Sequence, residues 1–415
     1  MKKLLMLTAL VVFTLVVWVS SSRAGEIDIL LQKLVEKGVL TPGEAQQIGT
    51  ETKEQVKADI AAGKFSSLPS WVQNTKLKGD FRMRYQTEKK QSDSDQKERP
   101  RIRMRLGMES KVNDQTKVYF GLASGSSADN RSTNQNFANS FEKKSIWIDY
   151  AYVSYAPAAW AALQAGRMAN PIWRPSDLLW DSDINPEGGS VALTKTLNPS
   201  LDLFINTAYF HIDEDETGTA DPNMVVAQPG FKWNISESVS LKNALSYYWF
   251  NSVKNQDLDY EKNTNSQVGG VADGLLLYDY DAWVLSSELG IAEPKLISAW
   301  VPYLALFGDY VNNTDPSDAN TGWLAGLKFG NKKVANFGEW QFKYQYRKLE
   351  KDAWLDIFPD SDAYGGSTNI KGHEAVLTYG LNKNCSLDLD YYVTDLITGT
   401  KNKEKLFQAD LNFKF

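Results

Sequence analysis

The chain has 415 residues and a mass of 46.6 kDa, with 42% hydrophobic and 23% charged residues, a mean hydropathy of -0.40 and a formal charge of -6. That balance excludes a disordered tail and a fibrous repeat, and a bundle of membrane-crossing helices is excluded because only the N-terminus approaches the run of about 20 apolar residues each span needs. The sequence pI of about 5.3 argues against a nucleic-acid partner, and 13 Trp, 19 Tyr and 18 Phe stand against one Cys and two His, which leaves no intramolecular disulfide and little material for zinc or histidine chemistry.

Residues 1–24 read as a cleaved secretory signal. Lys2 and Lys3 open it, an apolar stretch over 4–19 follows, and Ser22 and Ala24 put small side chains where a signal peptidase inspects them. Removing Lys2, Lys3 and Arg23 leaves 42 basic and 51 acidic residues, an exported acidic protein. Residues 25–64 then predict a short helical segment on the periplasmic side. Ile27, Leu30, Leu31, Leu34 and Val35 form one apolar helical stripe that Gly38 closes. Thr41-Pro42-Gly43-Glu44 offers a cap, a first-turn proline and a capping-box glutamate for a second helix running towards Gly63. Such a stripe predicts a docking or self-association element, and residues 65–74 read as a linker.

From residue 75 the period changes to two, the spacing of strands with two chemically different faces. Leu77, Phe81, Met83 and Tyr85 alternate with Lys76, Lys78, Asp80, Arg82 and Arg84; Ile102, Met104, Leu106 and Met108 alternate with Arg101, Arg103 and Arg105. The pattern returns at 201–209, at 340–347 and at 387–394. A soluble sandwich also alternates, so the connections decide. Short polar turns (113–116, 157–159, 198–200, 236–238, 293–295, 331–336, 382–384) alternate with long polar loops (87–98, 124–144, 169–189, 213–223, 251–273, 351–369). Short turns at one rim and long loops at the other predict an all-β membrane protein: an antiparallel transmembrane β-barrel of about sixteen strands over residues 75–415. Mixed parity over 274–291, where Asp279, Asp281, Trp283 and Leu285 share a face, predicts a β-bulge.

In such a barrel the apolar face meets lipid, and Trp233, Trp249, Trp300, Trp323 and Trp340 fall near strand ends, where aromatic rings bridge apolar and wet surroundings. The final segment alternates to Phe415 and resembles the C-terminal strand signal read by outer-membrane assembly machinery.

Three stretches resemble the bacterial putative-porin family: LLQKLVEKGVLTPGEAQQI from Leu30 to Ile48, Gly166-Arg167 at a strand end, and WDSDINPEG from Trp180 to Gly188. The resemblance implies a diffusion pore in the outer membrane, in contact with lipid and small hydrophilic solutes, with no known substrate and no cofactor. By analogy with sixteen-stranded porins it implies a homotrimer, to which the helical stripe contributes.

Arg82 and Arg84 share the polar face of the first strand, and Arg101, Arg103 and Arg105 that of its hairpin partner, so five guanidiniums line one sector of the inner wall. The third long loop carries Asp177, Asp181, Asp183 and Glu187. If it folds inward, as the third loop of general porins does, it forms the constriction, and acids facing arginines set up a transverse field that orients solutes. The plainer expectation is solvated charges in a wide lumen. Asp181, Asp183, Asn185 and Glu187 also have calcium-loop spacing, but Pro186 and Ala192 stand where that pattern needs Gly and Glu. Asp181 and Asp183 as a catalytic pair have no support elsewhere, and prolines in the loop favour turn and capping roles for its acids. His211 reads as a rim residue beside Asp213 to Glu216, His373 as a strand residue and Cys385 as a turn residue; none has a serine partner for lipid-face catalysis. A pore without chemistry is therefore expected. The alternative is a plugged structural or adhesive barrel that anchors periplasmic or extracellular partners.

Overall fold

The computed structural model describes residues 26–61, 70–138, 140–214, 221–271 and 274–415. The expected signal segment and the first half of the linker, residues 65–69, lie outside these residues, and Ser70–Gln73 of the expected linker form a short helix. The chain divides into two compact units, residues 1–73 and 74–415.

The first unit holds helices α1 (Glu26–Glu36), α2 (Pro42–Ala61) and α3 (Ser70–Gln73). Gly38 adopts φ +69 after α1, and the amide of Val39 returns to the carbonyl of Leu34 at 3.0 Å, which ends the helix as a left-handed cap does. At the start of α2, the Glu44 carboxylate accepts from the Thr41 amide (2.8 Å) while the Thr41 hydroxyl accepts from the Glu44 amide (3.3 Å). That reciprocal pair satisfies two otherwise orphaned N–H groups and holds the Glu44 carboxyl below its usual range through its bonds from Thr41. Leu31, from the α1 stripe, is buried, whereas Leu30 remains exposed.

The second unit is one antiparallel sheet. Its strands are β1 (Thr75–Lys90), β2 (Lys97–Lys111), β3 (Thr116–Ser124), β4 (Gln135–Asn136), β5 (Ile146–Ala158), β6 (Ala161–Arg167), β7 (Glu187–Asn198) and β8 (Leu201–His211). There follow β9 (Asn223–Asn234), β10 (Val239–Asn251), β11 (Ala282–Ala292), β12 (Tyr303–Asn313), β13 (Thr321–Gly330), β14 (Trp340–Leu349), β15 (Ile370–Asn382), β16 (Cys385–Leu396) and β17 (Glu404–Lys414). Each long strand pairs with its sequence neighbour, and β1 pairs with β17, so the sheet closes. The two-residue β4 only touches β2 from within a loop, which leaves a closed barrel of sixteen strands among the described residues. Closure matters because lipid offers no hydrogen bonds to an open edge.

Alternation sorts the side chains as period two requires. On β1, Arg82, Arg84 and Gln86 are buried inward while Met83 and Tyr85 face out; on β12, Tyr303, Phe307, Asp309 and Val311 are buried and Leu306 and Tyr310 are exposed. Trp233, Trp249 and Trp323 are exposed near strand ends and Trp300 in a short turn. Trp180 and Trp354 depart from that belt and are buried inside the barrel.

Three expectations need correction. The first hairpin loop is shorter than 87–98, because β1 runs to Lys90 and β2 starts at Lys97, with Glu88 opposite Lys97 and ion-paired to Arg99. Its charged residues are strand rungs whose cross-strand pairs resemble loop composition. Strand β11 has no bulge against β10 or β12; residues 274–281 belong to the preceding loop, which turns inward and buries Leu276 and Tyr280. Cys385 is the first residue of β16 rather than part of a turn. Register shifts occur elsewhere, at Gly121/Leu122, Tyr155/Ala158, Thr196/Asn198 and Gly380/Asn382.

Candidate functional site

The loops that matter are L2 (residues 125–145), L3 (168–186), L5 (252–281) and L7 (350–369). L3 leaves β6 and rejoins the wall at β7 through Gly188, whose φ of +149 brings its α-carbon so close to β8 that a Cβ would lie 2.0 Å from the Tyr209 carbonyl oxygen. From there L3 folds into the barrel and touches the wall in four places. The Trp173 amide donates to Gln228 of β9 at 2.8 Å, Ser176 bonds Asp309 of β12, Asp177 meets Arg347 of β14 at 3.0 Å, and Asp183 meets Arg105 of β2 at 3.3 Å.

L7 lies against L3. The Asp181 amide donates to the Phe358 carbonyl (2.7 Å), the Ser361 amide to the Asp181 carboxylate (2.8 Å), and the Trp354 indole N–H to the Leu179 carbonyl (2.8 Å). L5 covers L7 in turn: Asp356 accepts from the amides of Lys262 and Thr264, and Asp352 from the amide and hydroxyl of Ser266. From L2, the buried Arg131 donates to the carbonyls of Asp356 and Gly366. Leu178, Trp180, Trp354, Leu355 and Phe358 of these loops join one apolar cluster with Phe210, Val226, Tyr248, Val284 and Val311 of the wall. Burial of that apolar surface, at about 25 cal/mol per Å² removed from water, adds to the hydrogen bonds and ion pairs that hold the loops inside.

The sequence places five arginines on this wall, and the structure assigns a partner to each. Arg84 makes a two-pronged contact with Asp410 of β17, both distances 2.7 Å, and reaches Asp362 of L7 at 3.2 Å. Arg82 bonds Asn134 of L2 (2.6 Å) and lies 3.4 Å from Asp410. Arg101 donates to Gln86, and Arg103 and Arg105 share the Asp80 carboxylate at 2.8 Å. Strand register dictates these pairings, since Arg84 stands opposite Asp410 and Asp80 opposite Arg105.

The four acids expected in the third loop are not gathered opposite this ladder, and Glu187 is not in L3 but is the first residue of β7, opposite Arg167 of β6. Only Asp183 reaches it; Asp177 binds the β14 wall, Asp181 caps the Ser361 and Asp183 amides, and Glu187 pairs with Arg167 at the rim (2.7 Å). The main countercharges of the arginines are Asp80, Asp410 and Asp362. Acids of the wall and of L7 thus pair with the arginines alongside the one L3 acid that reaches them. The Asp181, Asp183, Asn185 and Glu187 side chains point to different partners and do not converge on a common ligand position; Asp181 and Asp183 form a local turn in which the Asp183 amide donates to the Asp181 carboxylate at 2.9 Å. Among the described residues, Asp177, Asp360 and Glu374 come within metal-ligand range of each other, but the Arg347 guanidinium binds all three. His211 ends β8 against the Tyr209 ring, and His373 lies on the outer face, bonded to the Tyr344 hydroxyl at 2.6 Å.

Two cavities flank the L3–L7 contact. The one towards the long-loop rim measures about 790 Å³ and is lined by Asp129, Asp149, Asp183, Asp213, Glu214 and Asp259 over a floor of Trp180, Phe210 and Phe358. Among the described residues, Arg167 is the one arginine or lysine that lines it. The one towards the short-turn rim measures about 620 Å³, and its charged lining is mainly cationic: Arg174, Lys242, Lys328 and Lys343 with Asp177. The lumen thus changes sign along its axis.

Loop docking carries a pH dependence. Burial, then the neighbouring Asp183, pushes Asp181 up to about 7, and burial with Asp356 and Asp257 nearby pushes Glu261 of L5 up to about 7. Both docked positions favour the protonated acid over its unfolded form, so they hold best at pH below the ordinary carboxylate range and weaken as pH rises through about 7. Amide exchange in L3 and L5, corrected for intrinsic rate, should be faster at pH 8 than at pH 5; equal protection at both would remove these two acids from the account.

A closed sixteen-stranded barrel with an apolar belt, a charged inner wall and inward-folded loops defines a porin-type barrel of the outer membrane. The chain belongs to the family described as "Putative porin", which matches residues 44–99, 89–275 and 280–415. No curated protein matches it. Among solved structures it is similar to OprB of Pseudomonas putida at high pH, with 9% identity and a TM-score of 0.55 over 82% of this chain and 94% of that one. It is also similar to OmpF of Salmonella typhi in complex with daunomycin, with 14% identity and a TM-score of 0.50 over 82% of this chain and 97% of that one. At such identities the likeness is one of fold.

Proposed function

We propose that this barrel is a passive pore of the outer membrane that lets small hydrophilic solutes and ions diffuse past the constriction built by L3 and L7, without chemistry. The supporting observation is the pair of cavities, about 790 and 620 Å³, on either side of that constriction in a charged lumen. In this reading the short turns face the periplasm, residues 1–24 are removed on export, residues 25–64 form a periplasmic helical segment, and the barrel assembles as a homotrimer. Arg82, Arg84, Arg101, Arg103 and Arg105 line the passage, with Asp177, Asp181 and Asp183 at its narrowest part and Glu187 at its rim.

The change of sign along the axis sets the sign of the test. With the long-loop side positive, cations are drawn in through the acidic mouth and anions through the basic chamber, so both accumulate at the constriction; reversing the voltage depletes both. Oriented single channels should pass more current with the long-loop side positive, and neutralising Asp213, Glu214 and Asp259 should reduce the asymmetry. A symmetric current would count against this charge arrangement. A second reading, a plugged barrel that anchors partners, draws on the apolar cluster that ties the loops to the wall. It predicts silent bilayers and no liposome swelling, whereas the pore gives conductance steps and swelling.

A further inference from the structure

The chamber on the short-turn side of L3 holds more cation than the wall neutralises. Asp177, its one lining carboxylate among the described residues, is occupied by Arg347 at 3.0 Å and Gln345 at 3.2 Å. Lys343 is paired with Glu374, and Lys328 lies 3.7 Å from Glu288. Arg174 and Lys242 are different. Among the described residues neither makes an ion pair or a hydrogen bond; the Lys242 ammonium instead lies 4.4 Å from the centre of the Trp173 ring and 5.0 Å from that of Phe204. An ammonium resting on two aromatic faces is partly dehydrated, and the carboxylate opposite it across β10 and β11, Glu288, is shared with Lys328, so one acid faces two lysines and the excess charge attracts an incoming anion.

The surroundings are fixed before any solute arrives. Gln228, fully buried on β9, accepts from the Trp173 amide and donates to the Trp173 carbonyl, both at 2.8 Å, which locks the ring over Lys242 and sets the course of L3 into Arg174. The same Gln228 accepts from Asn206, another lining residue, at 2.9 Å. A site whose cations are already held in place loses little entropy on binding.

We propose that this chamber is a binding station for small oxyanions, carboxylates or phosphate, held by Lys242 and Arg174. The inference rests on the pore reading and names the solute class of that same passage. Its test is calorimetric titration of the full chain in detergent with succinate and, separately, with inorganic phosphate, beside bilayer recordings in the same salts. Binding of at least one anion is expected, weakened about tenfold in Lys242→Met and in Arg174→Met and retained in Lys242→Arg, since each methionine removes one charge-assisted contact. Binding of succinate alone or phosphate alone assigns the station to that anion. Absence of heat with both anions, or unchanged affinity in Lys242→Met, overturns the station. Anion binding by a protein that never conducts keeps the station and overturns the pore, whereas conductance without anion binding does the reverse.

Discussion

Replacing Arg347 with alanine is expected to raise single-channel conductance and add frequent current fluctuations. Arg347 is buried on β14, and its guanidinium holds Asp360 of L7 at 2.9 Å, Asp177 of L3 at 3.0 Å and Glu374 of β15 beside it, with the Tyr392 ring 5.7 Å away. Removing one partner of a buried ion pair costs about 3–5 kcal/mol because the other charge is left behind. Here three carboxylates are left, with Lys343 and the Gln345 amide still facing Glu374. Glu374 is fixed on its strand, but the other two acids ride on loops, so the repulsion is relieved by the loops moving away from the wall. The barrel itself, held by its ladder of backbone hydrogen bonds, should survive. Arg347→Lys should rescue only in part, since an ammonium cannot present the planar fork that meets three acids at once. Conductance in Arg347→Ala equal to that of the unaltered chain would show that the loops are held by other contacts.

Trp354→Ala should release the same loops by another route. Trp354 is fully buried near the start of L7, edge-on to Tyr248 at 4.9 Å and Phe250 at 5.4 Å, with its indole N–H spent on the Leu179 carbonyl of L3. Truncating a buried tryptophan costs about 3–5 kcal/mol, from lost transfer free energy plus the cavity left behind. Because the cavity opens between loop and wall, the loss falls on docking and not on the barrel. Limited proteolysis should cut within residues 350–369, and hydrogen exchange should rise in L3, L5 and L7 while the strands stay protected. Strands and loops losing protection together would mean that the cluster supports the whole fold.

The barrel was legible because lipid and water enforce opposite faces, and that constraint repeats at every second residue of strands such as β1 and β14. The inward course of L3 was inferred from resemblance, and Asp181 within WDSDINPEG does lie against L7 inside the barrel, but the destination of each acid depends on register and on L7. The role of L7 was missed although a signal existed: Trp354, Leu355, Ile357 and Phe358 form an apolar run in a segment bounded by Pro359 and Gly365-Gly366, too short and too interrupted for a lipid-facing strand. A matching signal lies on β10, where Tyr247, Tyr248, Trp249 and Phe250 leave no polar face at the long-loop end. An inner wall turned apolar has something to bury. What local sequence could not supply is the contact between Asp177 and Arg347, 170 positions apart.

The seam between β1 and β17 has a consequence for biogenesis. Arg84 and Asp410 are 326 positions apart and meet across it, so their contact forms only when nearly the whole chain is present and the two remaining open edges come together. One ion pair therefore serves both the inner wall and the last step of closure. A charge change at Arg84 made to study permeation will first be felt as slower or failed assembly, and the amount of closed barrel must be measured before its currents are compared.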